Sequence, residues 1–256
     1  MESEKIIAAD IGNSRLKILE SGFYGAYEYD NNLEINFLNY LNSIKNSETQ
    51  RVIFIYSSVN TKILDKILLI NSNFQRIENI DCRQILIKQN RIDYSEIQNI
   101  GSDRLVGLFR ASELYDLPIV TVDCGTAVTI NALDETGKVA GGAIFAGVKT
   151  QLRALASSTA NLNEIEMYYE SDSIGKDTAT ALRIGIIKGI AGAIQEIISN
   201  ICKYNFNSNI QKVSVILTGG YSKIIMEALL GNSQFIPVLN QNLVCEGILS
   251  LYKNFK

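Results

Sequence analysis

The chain has 256 residues, of which 46% are hydrophobic and 20% are charged, and its formal net charge is -3. Such a slightly acidic chain has no electrostatic reason to approach nucleic acid or an anionic membrane, so we expect neither as a partner. The sequence contains no histidine, which excludes Ser-His-Asp and Cys-His catalysis and the usual zinc sites, and leaves Asp or Glu as the general base of any enzyme reaction.

The N-terminal segment and the cysteines both favour a cytoplasmic protein. MESEKIIAAD carries two glutamates before a short apolar run and lacks the basic leader of a secretory signal. The longest apolar stretches, such as 184–194, fall short of the roughly 20 residues that cross a bilayer. The four cysteines lie far apart with no CxxC pair, so we expect reduced packing residues.

The first half of the chain is predicted to open as a β-meander and to continue with alternating helices and strands. Strands are expected at 5–9, 16–20, near Tyr27 and at 52–56, and helices at 33–44 and 62–70. Ser102 is the predicted N-cap of a further helix, whose apolar face includes Leu105 and Phe109 and which ends before Pro118.

The second half is predicted to repeat this order. Strand 119–122 is followed by a hairpin, with strands at 128–133 and 138–144 around the turn DETG. A long helix over 177–204, a strand at 213–217 that ends in TGG, and a closing helix over 243–255 complete the chain. We therefore expect two α/β domains, residues 1–117 and 118–256.

The repeat is visible in the letters, because AADIGNSRLKIL and TVDCGTAVTINAL both place Asp-x-Gly and short polar residues between two apolar strands. Glycine in such a turn lets backbone N–H groups approach an anion, and Asn, Ser or Thr adds side-chain donors. One copy alone would be read as an ordinary hairpin turn, but two copies in matching contexts favour a pair of phosphate-binding turns. No P-loop or Rossmann fingerprint occurs in the sequence.

With TGG at 218–220, the paired turns resemble the phosphate and adenosine motifs of the superfamily of acetate kinase, sugar kinases, Hsp70 and actin. Six segments in order resemble type III pantothenate kinase in particular: DIGNSRLK (10–17), GSDR (101–104), DCGTA (123–127), GGAIFAG (141–147), STANL (158–162) and IGKDT (174–178). The resemblance implies two similar actin-like (ribonuclease H-like) domains, each a mixed sheet with helices, with an ATP cleft between them. It also implies phosphorylation of pantothenate to 4'-phosphopantothenate, the first step of coenzyme A biosynthesis.

The same resemblance implies roles for individual residues. Asp103 is the expected catalytic base, although by itself it could be a helix-starting aspartate of low pKa. A weak base suffices for phosphoryl transfer, because orienting the hydroxyl matters more than removing its proton early. Pantothenate is expected to contact a set of residues on both predicted domains. The set comprises Tyr94, Gly101, Ser102, Asp103, Arg104 and Thr178. Outside the family, Arg104 would be read as a surface arginine.

ATP, Mg²⁺ and a monovalent cation are the expected cofactors. The residues expected to bind ATP are Asp10, Ile11, Gly12, Asn13, Ser14, Arg15, Leu16, Lys17 and Thr126. Asp10 is also the expected neighbour of Mg²⁺. The contact is expected to run through water, because Mg²⁺ dehydrates reluctantly. Asp123 lies at the end of a buried strand, where an unpaired carboxylate would be costly, so it is the expected metal residue. The resemblance implies that its cation is K⁺ or NH₄⁺.

The resemblance further implies a homodimer with an interface along 141–147; otherwise Ile144 and Phe145 would simply pack inside the second domain. Three family prolines are replaced, by Ile97, Ala146 and Asn163. Two alternatives stay open from the sequence. One is a sugar or acetate type kinase of the same superfamily, and the other is a non-catalytic nucleotide-binding regulatory protein.

Overall fold

A computed structural model describes residues 4–20, 22–44, 51–159, 164–206, 208–231 and 233–255. The chain divides into two compact units. Unit 1 lies within Met1–Asn90, Asn99–Arg110 and Asn242–Lys256, and unit 2 comprises Arg91–Gln98 and Ala111–Gln241.

The elements of unit 1 come from both ends of the chain. Its strands are β1 (Lys5–Ile11), β2 (Arg15–Glu20), β3 (Phe23–Glu28), β4 (Val52–Ser58) and β5 (Ile77–Asp81). Its helices are α1 (Leu33–Ser43), α2 (Thr61–Ser72), α3 (Arg83–Leu86), most of α4 (Ser102–Leu114) and the closing helix α8 (Leu243–Phe255).

Unit 2 likewise consists, in its described residues, of five strands and several helices. Its strands are β6 (Ile119–Cys124), β7 (Ala127–Leu133), β8 (Val139–Ala146), β9 (Ser214–Thr218) and β10 (Pro237–Leu239). Its helices are α5 (Val148–Ser158), α6 (Thr178–Ile201) and α7 (Ser222–Leu230). A π-helical turn over Cys202–Phe206 continues α6, and a short 3₁₀ turn over Ile210–Lys212 precedes β9.

The two sheets share one strand order. Sheet 1 runs β3-β2-β1-β4-β5 and sheet 2 runs β8-β7-β6-β9-β10. In each sheet the first three strands along the chain are antiparallel and the last two are parallel to the first. The doubled strand-turn-strand pattern of the sequence is therefore a doubled mixed sheet, and the predicted fold class is confirmed.

Alternation along β1 and β2 decides which side chains enter the core of unit 1. Ile7, Ala9 and Ile11 point to one face of sheet 1 and pack with Phe37 of α1 and Ile67 of α2. The opposite face carries Ala8 and Asp10, and helix α8 packs against β1, β2 and β4. A polar side chain at position 10 is thus directed away from the apolar core cluster.

The core of unit 2 is built around the long helix α6. Ile187, Ile190 and Ile194 are buried along it and pack with Val122 of β6 and Leu217 of β9. Asp177 begins this helix, since its side chain accepts a hydrogen bond from the backbone N–H of Thr180 at 2.9 Å. Among the described helices none is both long and apolar enough to cross a membrane.

Apart from the segment Arg91–Gln98, which belongs to unit 2, the observed units differ from the predicted division at 117/118 in two places. The first is the position of the break, since residues from Ala111 onward belong to unit 2. The second is helix α8, which returns to unit 1 because its buried side chains, among them Leu243 and Ile248, pack on sheet 1. Gly247 allows this helix to approach α4 closely, since a Cβ there would lie 2.6 Å from the carbonyl oxygen of Val106.

Candidate active site

A row of polar side chains crosses the ends of three strands of sheet 1. Asp10 of β1 pairs in register with Lys17 of β2 on one side and with Ser57 of β4 on the other. Directly paired residues point to the same face of a sheet, so the three side chains lie side by side. Asp10 is 6% exposed, and its Oδ2 forms an ion pair with the Lys17 ammonium at 3.2 Å.

The turn between β1 and β2 is closed by backbone and side-chain hydrogen bonds. The N–H of Gly12 donates to the carbonyl of Arg15 at 3.1 Å. The Tyr29 hydroxyl donates to the carbonyl of Gly12 at 2.9 Å, and burial raises the pKa of Tyr29 well above its ordinary value. Tyr29 thus remains a hydroxyl donor and holds the turn in one shape. It was missed in the sequence because it lies beyond the turn motif.

The segment 10–17 divides into exposed and buried positions. Asn13 and Ser14 are exposed at the tip of the turn, and Arg15 forms an exposed ion pair with Glu28 at 2.7 Å. Ile11 and Leu16 are fully buried in the core cluster of unit 1. Their place in the predicted ATP-binding set therefore concerns backbone groups, because their side chains are committed to packing.

Asp103 lies in the first turn of α4, within the same unit as Asp10. Its Oδ1 is buried and has no hydrogen-bond partner among the described residues. Burial, with a further contribution from the negative charge of Asp10, raises the pKa of Asp103 above its ordinary value, against hydrogen bonds from the backbone of Arg104 and Asp103. A helix-starting aspartate with no other role would have a low pKa, but here the pKa is raised because desolvation outweighs the helix N-terminus.

The three neighbours of Asp103 in the GSDR segment have different surroundings. Gly101 makes room for the carboxylate, since a Cβ there would lie 2.3 Å from Oδ1 of Asp103. Ser102 is 1% exposed, and its hydroxyl is hydrogen-bonded to that of Ser57 at 2.8 Å. The hydroxyl of Ser102 is therefore hydrogen-bonded inside unit 1, and Ser102 is the first residue of α4 instead of the residue before it. Burial lowers the pKa of Arg104, although the adjacent Asp103 carboxylate opposes that shift.

The second turn repeats the closure of the first within unit 2. The N–H of Gly125 donates to the carbonyl of Ala127 at 3.0 Å, as Gly12 does to Arg15. Asp123 pairs in register with Thr129 of β7 and with Thr218 of β9. Threonine thus occupies the two places that Lys17 and Ser57 occupy beside Asp10.

The carboxylate of Asp123 packs closely against the glycine Gly219. A Cβ on Gly219 would lie 2.2 Å from Oδ1 of Asp123 and 2.8 Å from backbone atoms of Cys124. Gly219 also has φ +90, a conformation that L side chains rarely adopt. The glycine of TGG is therefore fixed both by its own backbone and by the aspartate it faces.

Three other predicted residues also lie in unit 2. Thr126 is exposed, and its carbonyl accepts from Gly147 N–H at 3.0 Å and from the Thr150 hydroxyl at 2.6 Å. Thr178 is exposed at the start of α6. Tyr94 is half-buried in a segment that pairs with the β7–β8 hairpin turn through Asp93.

Of the three positions where another residue replaces a family proline, two lie in the described part of the chain. The N–H of Ile97 donates to the carbonyl of Tyr94 at 3.0 Å, a bond that proline could not make. Ala146 ends β8 opposite Ala127. Asn163 and most of the STANL segment, residues 160–162, lie outside the described residues.

The structure thus groups Asp10, Lys17 and Asp103 in unit 1, and Asp123, Thr126 and Thr178 in unit 2. Ser57 was missed in the sequence, although it is the next-to-last residue of VIFIYSS, as Asp10 is of β1. In the described part of the chain, no group of three or more Cys, Asp or Glu side chains is placed to hold a metal ion. Single carboxylates such as Asp10 suit an ion whose other ligands are phosphate and water.

Comparison with known sequences identifies the family. The model of type III pantothenate kinase matches residues 6–200. A type III pantothenate kinase of Sulfurihydrogenibium sp. is 30% identical over 97% of this chain and 99% of its own length. A type III pantothenate kinase of Synechococcus elongatus is 40% identical over 51% of each chain, so this match spans about half of that relative.

Comparison with solved structures supports the fold. A conserved Campylobacter jejuni protein described as a Baf family transcriptional activator has TM-score 0.63 at 18% identity, over 97% of this chain and 98% of its own. MreB5 of Spiroplasma citri bound to ADP has TM-score 0.53 at 11% identity, over 99% of this chain and 98% of its own. These likenesses show the two-unit actin-like fold, and the sequence matches show that the chain belongs to the type III pantothenate kinase family.

Proposed function

We propose that this chain transfers the γ-phosphoryl group of ATP to the 4'-hydroxyl of pantothenate, with Asp103 as the general base. The observation that carries the proposal is the buried Oδ1 of Asp103, which lacks a partner among the described residues. It lies in the same unit as the phosphate-sized turn at Gly12. Family membership supplies the identity of the substrate.

The environment of Asp103 suits proton transfer. Its raised pKa makes the carboxylate a better base than an exposed aspartate. Oδ1 accepts the proton of the substrate hydroxyl while that oxygen forms its bond to the γ-phosphorus and the bond to the bridging oxygen of ADP breaks. Asp103 also orients the hydroxyl, which matters most in a loose phosphoryl-transfer transition state.

Other residues of the chain would bind the two substrates. Arg104 offers a forked donor for the pantothenate carboxylate, and Tyr94 and Thr178 offer hydroxyl groups. Exposed Asn13 and Ser14 and the backbone of the first turn suit phosphate oxygens, and Thr126 serves the second turn. Lys17 forms an ion pair with Asp10 at 3.2 Å and adds a positive group next to the first turn.

A panel of phosphate acceptors tests this proposal. ADP release is measured with pantothenate, glucose, acetate or no acceptor, at saturating ATP and Mg²⁺. We expect a rate with pantothenate at least about 100-fold above the others, since a site built for the polar groups of one substrate rejects analogues lacking them. A preference for glucose or acetate would replace the proposal with the sugar or acetate kinase alternative. ATP binding without transfer to any acceptor would favour the regulatory alternative.

We also propose that Asp123 holds a monovalent cation. Its Oδ1 lies against Gly219 and Gly125, whose missing side chains leave the backbone close to the carboxylate. A hard cation of low charge would offset the cost of the partly buried carboxylate. Activity is therefore expected to be low in sodium and to recover several-fold when potassium or ammonium is added at equal ionic strength. Equal rates in all three salts would remove this role.

A homodimer is proposed along β8, the edge strand of sheet 2. Phe145 packs against the core of unit 2, whereas Ile144 is 61% exposed. Phe145 is thus directed into the interior of unit 2, and Ile144 lies on its surface. An exposed edge strand with an apolar outward side chain is a surface that a second copy can cover.

Ile144→Asp is expected to lower the dimer fraction and the specific activity together. The change places a charge on the edge strand without touching the core. Ile236→Asp is the matched control, because Ile236 is 85% exposed elsewhere on unit 2. Light scattering and activity are measured across a dilution series. A fully active wild-type monomer, or a dimer unaffected by Ile144→Asp, would contradict this interface.

A further inference from the structure

Two buried serines face each other beneath Asp103. The hydroxyls of Ser57 and Ser102 are 2.8 Å apart, and the residues are 0% and 1% exposed. Ser57 lies on β4 in register with Asp10, and Ser102 is the first residue of α4, directly before Asp103. The pair therefore connects the strand beside one carboxylate to the helix that carries the other.

A third side chain completes this contact. Cys82 is fully buried, its N–H donates to the carbonyl of Tyr56 at 2.9 Å, and its thiol lies close enough to the hydroxyls of Ser57 and Ser102 for them to lower its pKa. Burial nevertheless raises the pKa of the Cys82 thiol to about 12, so the thiol stays neutral. The two hydroxyls are thus hydrogen-bonded to each other beside a neutral thiol, and no net charge is present in the group.

The carboxylate of Asp103 is held by the start of its own helix, through backbone groups of Asp103 and Arg104. Oδ1 accepts no hydrogen bond among the described residues, and the space it fills is open because position 101 is glycine. Its location is therefore set by the first turn of α4. That turn is tied to sheet 1 through the hydroxyl of Ser102.

We propose that the Ser57–Ser102 hydroxyl pair positions Asp103 for proton transfer, and this role rests on the function proposed above. Ser57 and Ser102 act as positioning residues and touch neither the hydroxyl nor the phosphate that reacts. Two buried hydroxyls that satisfy each other add little net stability compared with an apolar pair of similar shape. We therefore infer that the two hydroxyls fix the position of the helix start and contribute little to the free energy of unfolding. Misplacing a catalytic group by about 1 Å can cost on the order of 100-fold in rate.

The test compares Ser57→Ala in two backgrounds. In the otherwise native chain, kcat for pantothenate phosphorylation is expected to fall by about 10-fold or more, with KM for ATP changed by less than about 2-fold. In the Asp103→Asn background, adding Ser57→Ala is expected to change the residual rate by less than about 2-fold, because the residue it positions is already disabled. Ser102→Ala serves as a second probe, and Ser57→Thr, which keeps the hydroxyl, should restore most of the rate.

Tyr40→Phe is the matched control. It deletes another buried hydroxyl of unit 1, the one that donates to Glu20 at 2.7 Å, without reaching Asp103. Its kcat should stay close to the native value. A native kcat in both Ser57→Ala and Ser102→Ala, or an equal loss with and without Asp103, would overturn the positioning role alone. A native chain that does not phosphorylate pantothenate would overturn the proposed function as well.

Discussion

Asp103→Asn is expected to reduce kcat for pantothenate phosphorylation by about 100-fold or more, the usual contribution of a general base. Asparagine keeps the shape of the side chain and removes only the proton acceptor. The affinity for ATP should change by less than about 2-fold, because the phosphate turns are untouched. Steady-state kinetics and ATP titration measure the two effects. A variant that keeps a near-native kcat would remove Asp103 from the base role.

The same substitution is expected to raise the melting temperature at pH 7. The folded pKa of Asp103 lies above its ordinary value of 3.8, so the folded state holds the proton more tightly than the unfolded state. Ionisation therefore costs stability as the pH rises through the window between the two values, and the full cost is present above the folded pKa. The gain from Asn should shrink as the pH is lowered toward 3.8.

Gly219→Ala is expected to lower the melting temperature by about 5–15 °C and to impair ATP-dependent activity. An alanine at φ +90 is strained, and its Cβ would meet the backbone of Cys124 and the carboxylate of Asp123. The carbonyl of Gly219 also accepts from the N–H and hydroxyl of Ser222, so a shift here would disturb the start of α7.

Gly231→Ala is the control for this glycine. A Cβ on Gly231 would meet no atom of the described residues within 4 Å, and Gly231 has no positive φ. Its substitution should leave the melting temperature within about 2 °C of the native value. Thermal unfolding of both variants measures the difference. Equal melting temperatures for Gly219→Ala and Gly231→Ala would mean that the close contact of Gly219 with Asp123 does not affect the stability of the fold.

Much of the fold could be predicted from the sequence because the signals were local. The strands beginning at Lys5 and Ile119 are short apolar runs bounded by turns, and the two Asp-x-Gly turns marked the repeat. The return of α8 to unit 1 could not be predicted, since it depends on contacts between opposite ends of the chain. Strand β10, with three residues, is too short to give a periodic signal.

The candidate site was predictable where residue type implies chemistry, and less so where burial decides the role. Asp10 and Asp123 were predicted from their position after buried strands, and the structure places them at equivalent strand ends. The inward hydroxyl of Ser102 and the raised pKa of Asp103 follow from packing, which the GSDR letters do not express. Tyr29 acts through a tertiary contact with Gly12 and has no motif of its own.

The most direct test of the account is to identify the product of one reaction, run with the native chain and with Asp103→Asn. Purified protein is incubated with ATP, Mg²⁺, K⁺ and pantothenate, and the products are followed by phosphorus NMR and mass spectrometry. The account predicts 4'-phosphopantothenate and ADP in equal amounts from the native chain, and almost none from the variant. ADP formation without phosphorylated pantothenate, or equal product from both proteins, would contradict it.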